Sequence, residues 1–130
     1  MRQHFIDLHL HLDGAVTPDI ARRLGSVTGI TLPEGDALEK ILKVPADCRD
    51  LNHFLKCFEF PLSLMQTPEA LSEAVRLVAD SAGAQSIIYA EIRFAPQLHT
   101  LCGMSQEEAV LAALNGIRHT SLHTNLILCL

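Results

Sequence analysis

Three strand-like runs separated by helical stretches constrain this chain more than any other feature, because that order folds into a parallel sheet. The runs cover residues 4–12, Ser86–Phe94 and Asn125–Leu130. Between them, apolar residues recur at helical spacing behind recognisable start signals. Thr17 followed by Pro18 supplies an N-cap and a proline at the first helical position, for a helix reaching about Val27. Leu38, Ile41 and Leu42 mark a short helix within Asp36–Leu42, and Asp50 caps another that carries Leu51, Phe54, Leu55 and Phe58. Thr67 and Pro68 open a helix with the stripe Leu71, Ala74, Val75 and Val78. Ser105 and Glu108 form a capping box ahead of Val110, Leu111, Leu114 and Ile117.

A doubly wound sheet and a barrel both begin in this way, and strand polarity separates them. In the second run Tyr89, Glu91 and Arg93 share one face, and Ile88, Ala90, Ile92 and Phe94 the other. Sheets covered by helices on both sides have near-continuous apolar strands. A polar face fits a barrel interior, so the expected fold class is α/β, the first three strands and their helices of a (β/α)8 barrel. A complete barrel takes about 250 residues, against 130 here. The expectation is one incomplete barrel domain over residues 1–130, cut within the third strand, from the amino-terminal part of a longer protein.

The first strand run ends in chemistry. Strand alternation places Asp7, His9 and His11 on one face and Ile6, Leu8, Leu10 and Leu12 on the other. Two same-face residues lie about 6.6 Å apart along a strand, close enough for both imidazoles to lean onto one metal ion at about 2.0–2.1 Å. Asp13 follows at the strand end, and Gly14 permits a sharp exit.

Composition removes several other classes. Hydrophobic residues make up 48% of the chain, which fits a buried scaffold rather than a disordered chain. The formal charge is −5, and no basic run exceeds Arg22-Arg23, so nucleic acid is not an expected partner. Cys48, Cys57, Cys102 and Cys129 lack Cys-x-x-Cys spacing and read as reduced thiols. No leader pattern or bilayer-length apolar run is present, so the expectation is a cytoplasmic protein without a membrane partner.

The stretch from Leu8 to Ala15 resembles the amino-terminal signature of the adenosine deaminases, zinc hydrolases of the amidohydrolase superfamily. Three further blocks agree in order and spacing: Leu51–Phe58 with the family's helical lid, Met65–Leu71 with the helix after it, and Tyr89–Leu98 with its second barrel strand and loop. The resemblance implies a Zn2+ cofactor held in part by His9 and His11, and a purine nucleoside as small-molecule partner. It implies hydrolytic deamination of adenosine to inosine and ammonia, in purine salvage. Substrate-binding roles fall on His11, on Asp13 toward the ribose 5′-hydroxyl, and on Phe54 and Phe58 in the lid. The remaining metal ligands and the general-acid glutamate, in a His-Ala-Gly-Glu motif, are expected beyond residue 130, which leaves no catalytic residue within this chain and the chain inactive alone.

Alternatives stay open on the residues themselves. Asp13 also reads as a turn former before Gly14, and Phe54, Leu55 and Phe58 as a core-facing helical stripe. A deaminase of adenine or a modified nucleoside is the nearest rival activity, although those relatives commonly carry Glu where this chain has Asp13. A non-catalytic truncated module is the rival from another class. Among the other ionisable residues, Arg93 is expected to pair with Glu91 and to neutralise Asp7 across the barrel floor. His119 and His123 are read as exposed residues at the end of the last helix, since the spacing lacks the base of a His-Glu-x-x-His site. His99 falls in the loop after the second strand without an assigned role. The open edges of a three-stranded sheet are expected to drive self-association, with Ile6, Leu8, Leu10, Ile88, Ile92 and Phe94 covered by helices.

Overall fold

A computed structural model describes residues 3–130. Three parallel strands, β1 (Phe5–His11), β2 (Ile87–Phe94) and β3 (His123–Leu128), form a sheet in the order β1-β2-β3. Helices α1 (Pro18–Thr28), α2 (Asp36–Ile41), α3 (Leu51–Lys56), α4 (Glu59–Ser63) and α5 (Pro68–Ala84) lie between β1 and β2, and α6 (Gln106–Arg118) leads into β3. This is the three-stranded part of a (β/α)8 barrel.

The helix boundaries follow from capping chemistry. Thr17, Asp50, Thr67 and Ser105 each accept a backbone N–H from the first turn of α1, α3, α5 and α6. The Ser105–Glu108 box is closed from both sides. Gly29 ends α1 in the left-handed conformation, at φ 73°. The helix expected over Leu51–Phe58 is shorter, because the chain turns at Cys57 and Phe58 and restarts as α4. β3 begins two residues earlier than the apolar pattern indicated and stops at Leu128.

The core lies on one side of the sheet. Ile92 and Phe94 of β2 pack with Leu12, Leu24 of α1, Leu71, Val75 and Val78 of α5, and Ala109 and Ala113 of α6, and Ala90 is buried on the same face. At the α5–α6 crossing, Gly116 sits against the Ser72 carbonyl and the Val75 side chain, an approach open only to a residue without Cβ. A polar chain runs over the outside of the helices. Arg23 of α1 and Arg76 of α5 both bond the Glu73 carboxylate, at 3.0 and 2.8 Å. Arg76 also meets Asp80, which accepts the Thr120 hydroxyl at 2.6 Å. The two guanidinium groups, Arg76 above all, hold the Glu73 carboxyl down at a pKa of about 2.

Alternation along β1 does not hold. The β1–β2 register slips between Asp7 and Leu10, so that Asp7 pairs with Ala90, Leu10 with Ile92 and His11 with Arg93. One extra residue in β1 makes a β-bulge, and the Asp7 carboxylate accepts the His9 N–H across it at 2.9 Å. Asp7 therefore shares the helix-covered side with Leu10 and Ala90, opposite Arg93, and no Asp7–Arg93 pair crosses the barrel floor. Ile6 and Leu8, expected under the helices, are 61% and 56% exposed, and Ile88 is 52% exposed. Leu10 is half-buried, and Ile92 and Phe94 are buried as expected.

Candidate functional site

Beyond the bulge that displaces Asp7, His9 and His11 stand together, as alternation leads one to expect. Their Nε2 atoms lie 3.0 Å apart, with ring centroids separated by 5.0 Å. Ligand atoms of a tetrahedral zinc site with bonds of 2.0–2.1 Å stand about 3.3 Å from one another, so the pair fits two corners of such a site. Both rings are exposed, on the face of the sheet that Arg93 shares. Among the described residues no third His, Cys, Asp or Glu joins them in a group able to hold a metal. The chain thus offers half a coordination sphere, open toward the side of the sheet that carries no helix.

A cavity of about 540 Å³ opens beside His11 at the carboxyl end of β1. It is where ligands bind in parallel barrels, since the loops after the strands gather there. His11, Asp13, Phe54 and Phe58 all line it, so the structure gathers into one place the residues that the resemblance marked for substrate. His9 is not in the lining and reaches it through His11. Asp13 begins a short 3-10 turn and its carboxylate accepts the Gly14 N–H at 2.9 Å. A Cβ on Gly14 would stand 3.4 Å from the Phe58 ring and 3.7 Å from the His11 Cβ, so Phe58 and His11 both close on this strand exit. The Phe54 and Phe58 rings meet edge to face at 5.2 Å, forming an apolar roof rather than a stripe turned into the core.

Cys57, from the Leu51–Phe58 block, also lines the cavity, as do Leu42, Val44 and Pro61, which nothing in their local sequence marks for it. They arrive through the path of the chain between α2 and α4. His99 is another residue without a sequence signal for its place. It is buried to 1% exposure, its Nδ1 lies 2.8 Å from the Met65 carbonyl, and its ring stands edge-on to Phe94. Burial pushes its pKa down, against the opposing pull of that carbonyl and of the Asp13 carboxylate.

Three expectations for ionisable residues change. Glu91 accepts the Tyr89 hydroxyl at 2.9 Å and makes no ion pair with Arg93. Arg93 instead reaches the Leu8 carbonyl at 3.4 Å, over the bulge. His119 caps the end of α6 and is exposed, whereas His123 opens β3 and packs edge-on to Tyr89, so the two do not share a helix. Among the described residues no helix is long and apolar enough to cross a membrane.

Comparison with known proteins gives this geometry a family. The sequence model of the family described as adenosine deaminase matches residues 5–130. An adenosine deaminase of Haemophilus ducreyi is 51% identical over 95% of this chain and 38% of its own length. One from Vibrio atlanticus is 41% identical over 87% of this chain and 34% of its own. The crystal structure of an adenine deaminase from Arthrobacter aurescens superposes with a TM-score of 0.74 at 28% identity, covering 95% of this chain and 38% of that one. The chain therefore spans little more than a third of the length of the relatives it matches.

Proposed function

Because the chain belongs to the adenosine deaminase family, we propose that it is the amino-terminal part of a zinc-dependent hydrolase that converts adenosine to inosine and ammonia. The observation that carries the proposal is the convergence of the His9 and His11 Nε2 atoms, 3.0 Å apart, beside a cavity lined by His11, Asp13, Phe54 and Phe58. His9 and His11 would hold the metal, and zinc in such a site supplies an acidified water at neutral pH. His11 would then face both metal and substrate. Phe54 and Phe58 offer an apolar roof to a flat purine and exclude water from it. Asp13, at the cavity wall, is an acceptor for a sugar hydroxyl. The remaining metal ligands and the proton donor lie outside these residues in this reading, with residues 1–130 as one incomplete domain. Purine salvage in the cytoplasm is the setting we assign, a place that the four free thiols suit.

Adenine is the competing substrate, favoured by the likeness to the Arthrobacter adenine deaminase. Asp13 weighs toward the nucleoside, because a carboxylate at the cavity wall has a ribose hydroxyl to bind there and adenine has none. Turnover of adenosine and adenine by the zinc-loaded, full-length protein separates the two. Adenosine is expected to be the better substrate, with Asp13→Ala raising KM for adenosine. Exclusive use of adenine would overturn the assignment.

A further inference from the structure

The roof of the cavity is fastened to the sheet by a set of buried hydrogen bonds that none of the cavity-lining residues makes. Gln66, at the start of the α5 region, is 6% exposed and uses its whole side-chain amide. Its Nε2 donates to the Leu62 carbonyl of α4 at 3.0 Å and to the Leu98 carbonyl at 2.9 Å, and its Oε1 accepts the Leu101 N–H at 3.0 Å. His99 adds a fourth bond, from Nδ1 to the Met65 carbonyl at 2.8 Å. A carbonyl can only accept, so Nδ1 carries the proton and the neutral ring is the Nδ1–H tautomer. One end of this clamp is α4, which places Phe58 and Pro61 over the cavity. The other end is the turn Pro96–His99 directly after β2, whose Arg93 carbonyl accepts the Leu12 N–H beside His11 and Asp13.

We propose that His99 is a positioning residue: through its Nδ1–H to Met65, together with the Gln66 amide, it sets the height of the α4 roof above the strand ends that carry His11 and Asp13. The α4 helix has five residues and cannot hold itself in place by its own ladder. Leu64 and Met65, just after α4, are fully buried, but apolar packing is not directional, whereas the clamp fixes register. The role in catalysis rests on the reading of the cavity as a nucleoside site; the role in holding α4 does not.

The test uses the full-length protein. Nitrogen-15 NMR of the wild type is expected to show His99 neutral with the proton on Nδ1; a proton on Nε2 would overturn the proposal without any variant. Hydrogen exchange then reads the roof through the Leu62, Leu64 and Met65 amides, with Ala112 and Ala113 of α6 as reference. Leaving a buried carbonyl without its donor in His99→Leu is expected to speed exchange at the roof amides about tenfold or more with α6 unchanged. His99→Asn, whose amide can present a donor near the Nδ1 position, is expected to restore most of the protection. Equal acceleration in α4 and α6, or none in α4, would show that His99 is ordinary packing. In the zinc-loaded protein, KM for adenosine is expected to rise in His99→Leu with kcat largely kept; a fall in kcat at unchanged KM would count against positioning. If wild type turns over no adenosine, the function assigned above fails, while the tautomer and exchange results still decide the clamp.

Discussion

His9 and His11 show how much of a site two residues can carry. With Nε2 atoms 3.0 Å apart they fit two ligand positions, and among the described residues nothing adds a third. Zinc binding by residues 1–130 is therefore expected to be weak and to disappear in His11→Ala, as followed by competition with a chromophoric chelator. The same chain is expected to convert no adenosine to inosine above background. His99 gives a second prediction, in pH. Its folded-state pKa lies below the ordinary 6.5 because the ring is buried. The unfolded chain thus takes up a proton first as pH falls, so the stability tied to neutral His99 is complete above about 6.5 and is lost as pH drops through the lower folded value. Denaturant titrations from neutral pH into this window are expected to show that loss in the wild type and not in His99→Asn.

At the scale of elements, the α5–α6 crossing is set by the absence of a side chain. A Cβ at Gly116 would press on the Ser72 carbonyl and stand 2.8 Å from the Val75 Cβ, neither of which is the far end of a flexible chain. Gly116→Ala is expected to cost about 1–3 kcal/mol. Gly83, inside α5, is the control: a Cβ there would meet only Leu122 Cβ at 3.9 Å. Gly83→Ala is expected to stabilise by roughly 0.5–1 kcal/mol through backbone entropy. Thermal unfolding of the two variants measures both signs. The Arg23–Glu73–Arg76 group links α1 to α5, and the Glu73 carboxyl is held from 4.5 to about 2. Its contribution is present above the unfolded value and is lost as pH falls through the folded one. Glu73→Gln is expected to lower stability near neutral pH and to flatten the acid limb, read from chemical denaturation across that range.

For the whole molecule the decisive feature is a sheet covered on one side only. β1 and β3 are both edges, and Phe5, Ile6 and Leu8 of β1 are each at least half exposed. An exposed apolar edge strand pairs readily with another chain. Residues 1–130 are expected to form oligomers at tens of micromolar, and Leu8→Lys is expected to shift them toward monomer. Size-exclusion chromatography with light scattering measures this, and a stable, monodisperse wild-type monomer would overturn it.

Strand and helix order, the caps at Thr17, Asp50, Thr67 and Ser105, and the His9–His11 pair were legible in the sequence because each depends on residues within a few positions of one another. The sequence also named Asp13, Phe54 and Phe58, though as separate blocks. Only the tertiary structure brought them around one cavity with Leu42, Val44 and Pro61, since their meeting depends on the path between α2 and α4. The bulge at Leu8–His9 was equally hidden. Alternation assumes two residues per repeat, and the extra residue is set by pairing with β2, which moved Asp7 to the helix side and left Ile6 and Leu8 exposed. The bonds of His99 and Gln66 gave no local signal, because a buried hydrogen bond 32 to 35 residues away in sequence exists only once both segments have packed.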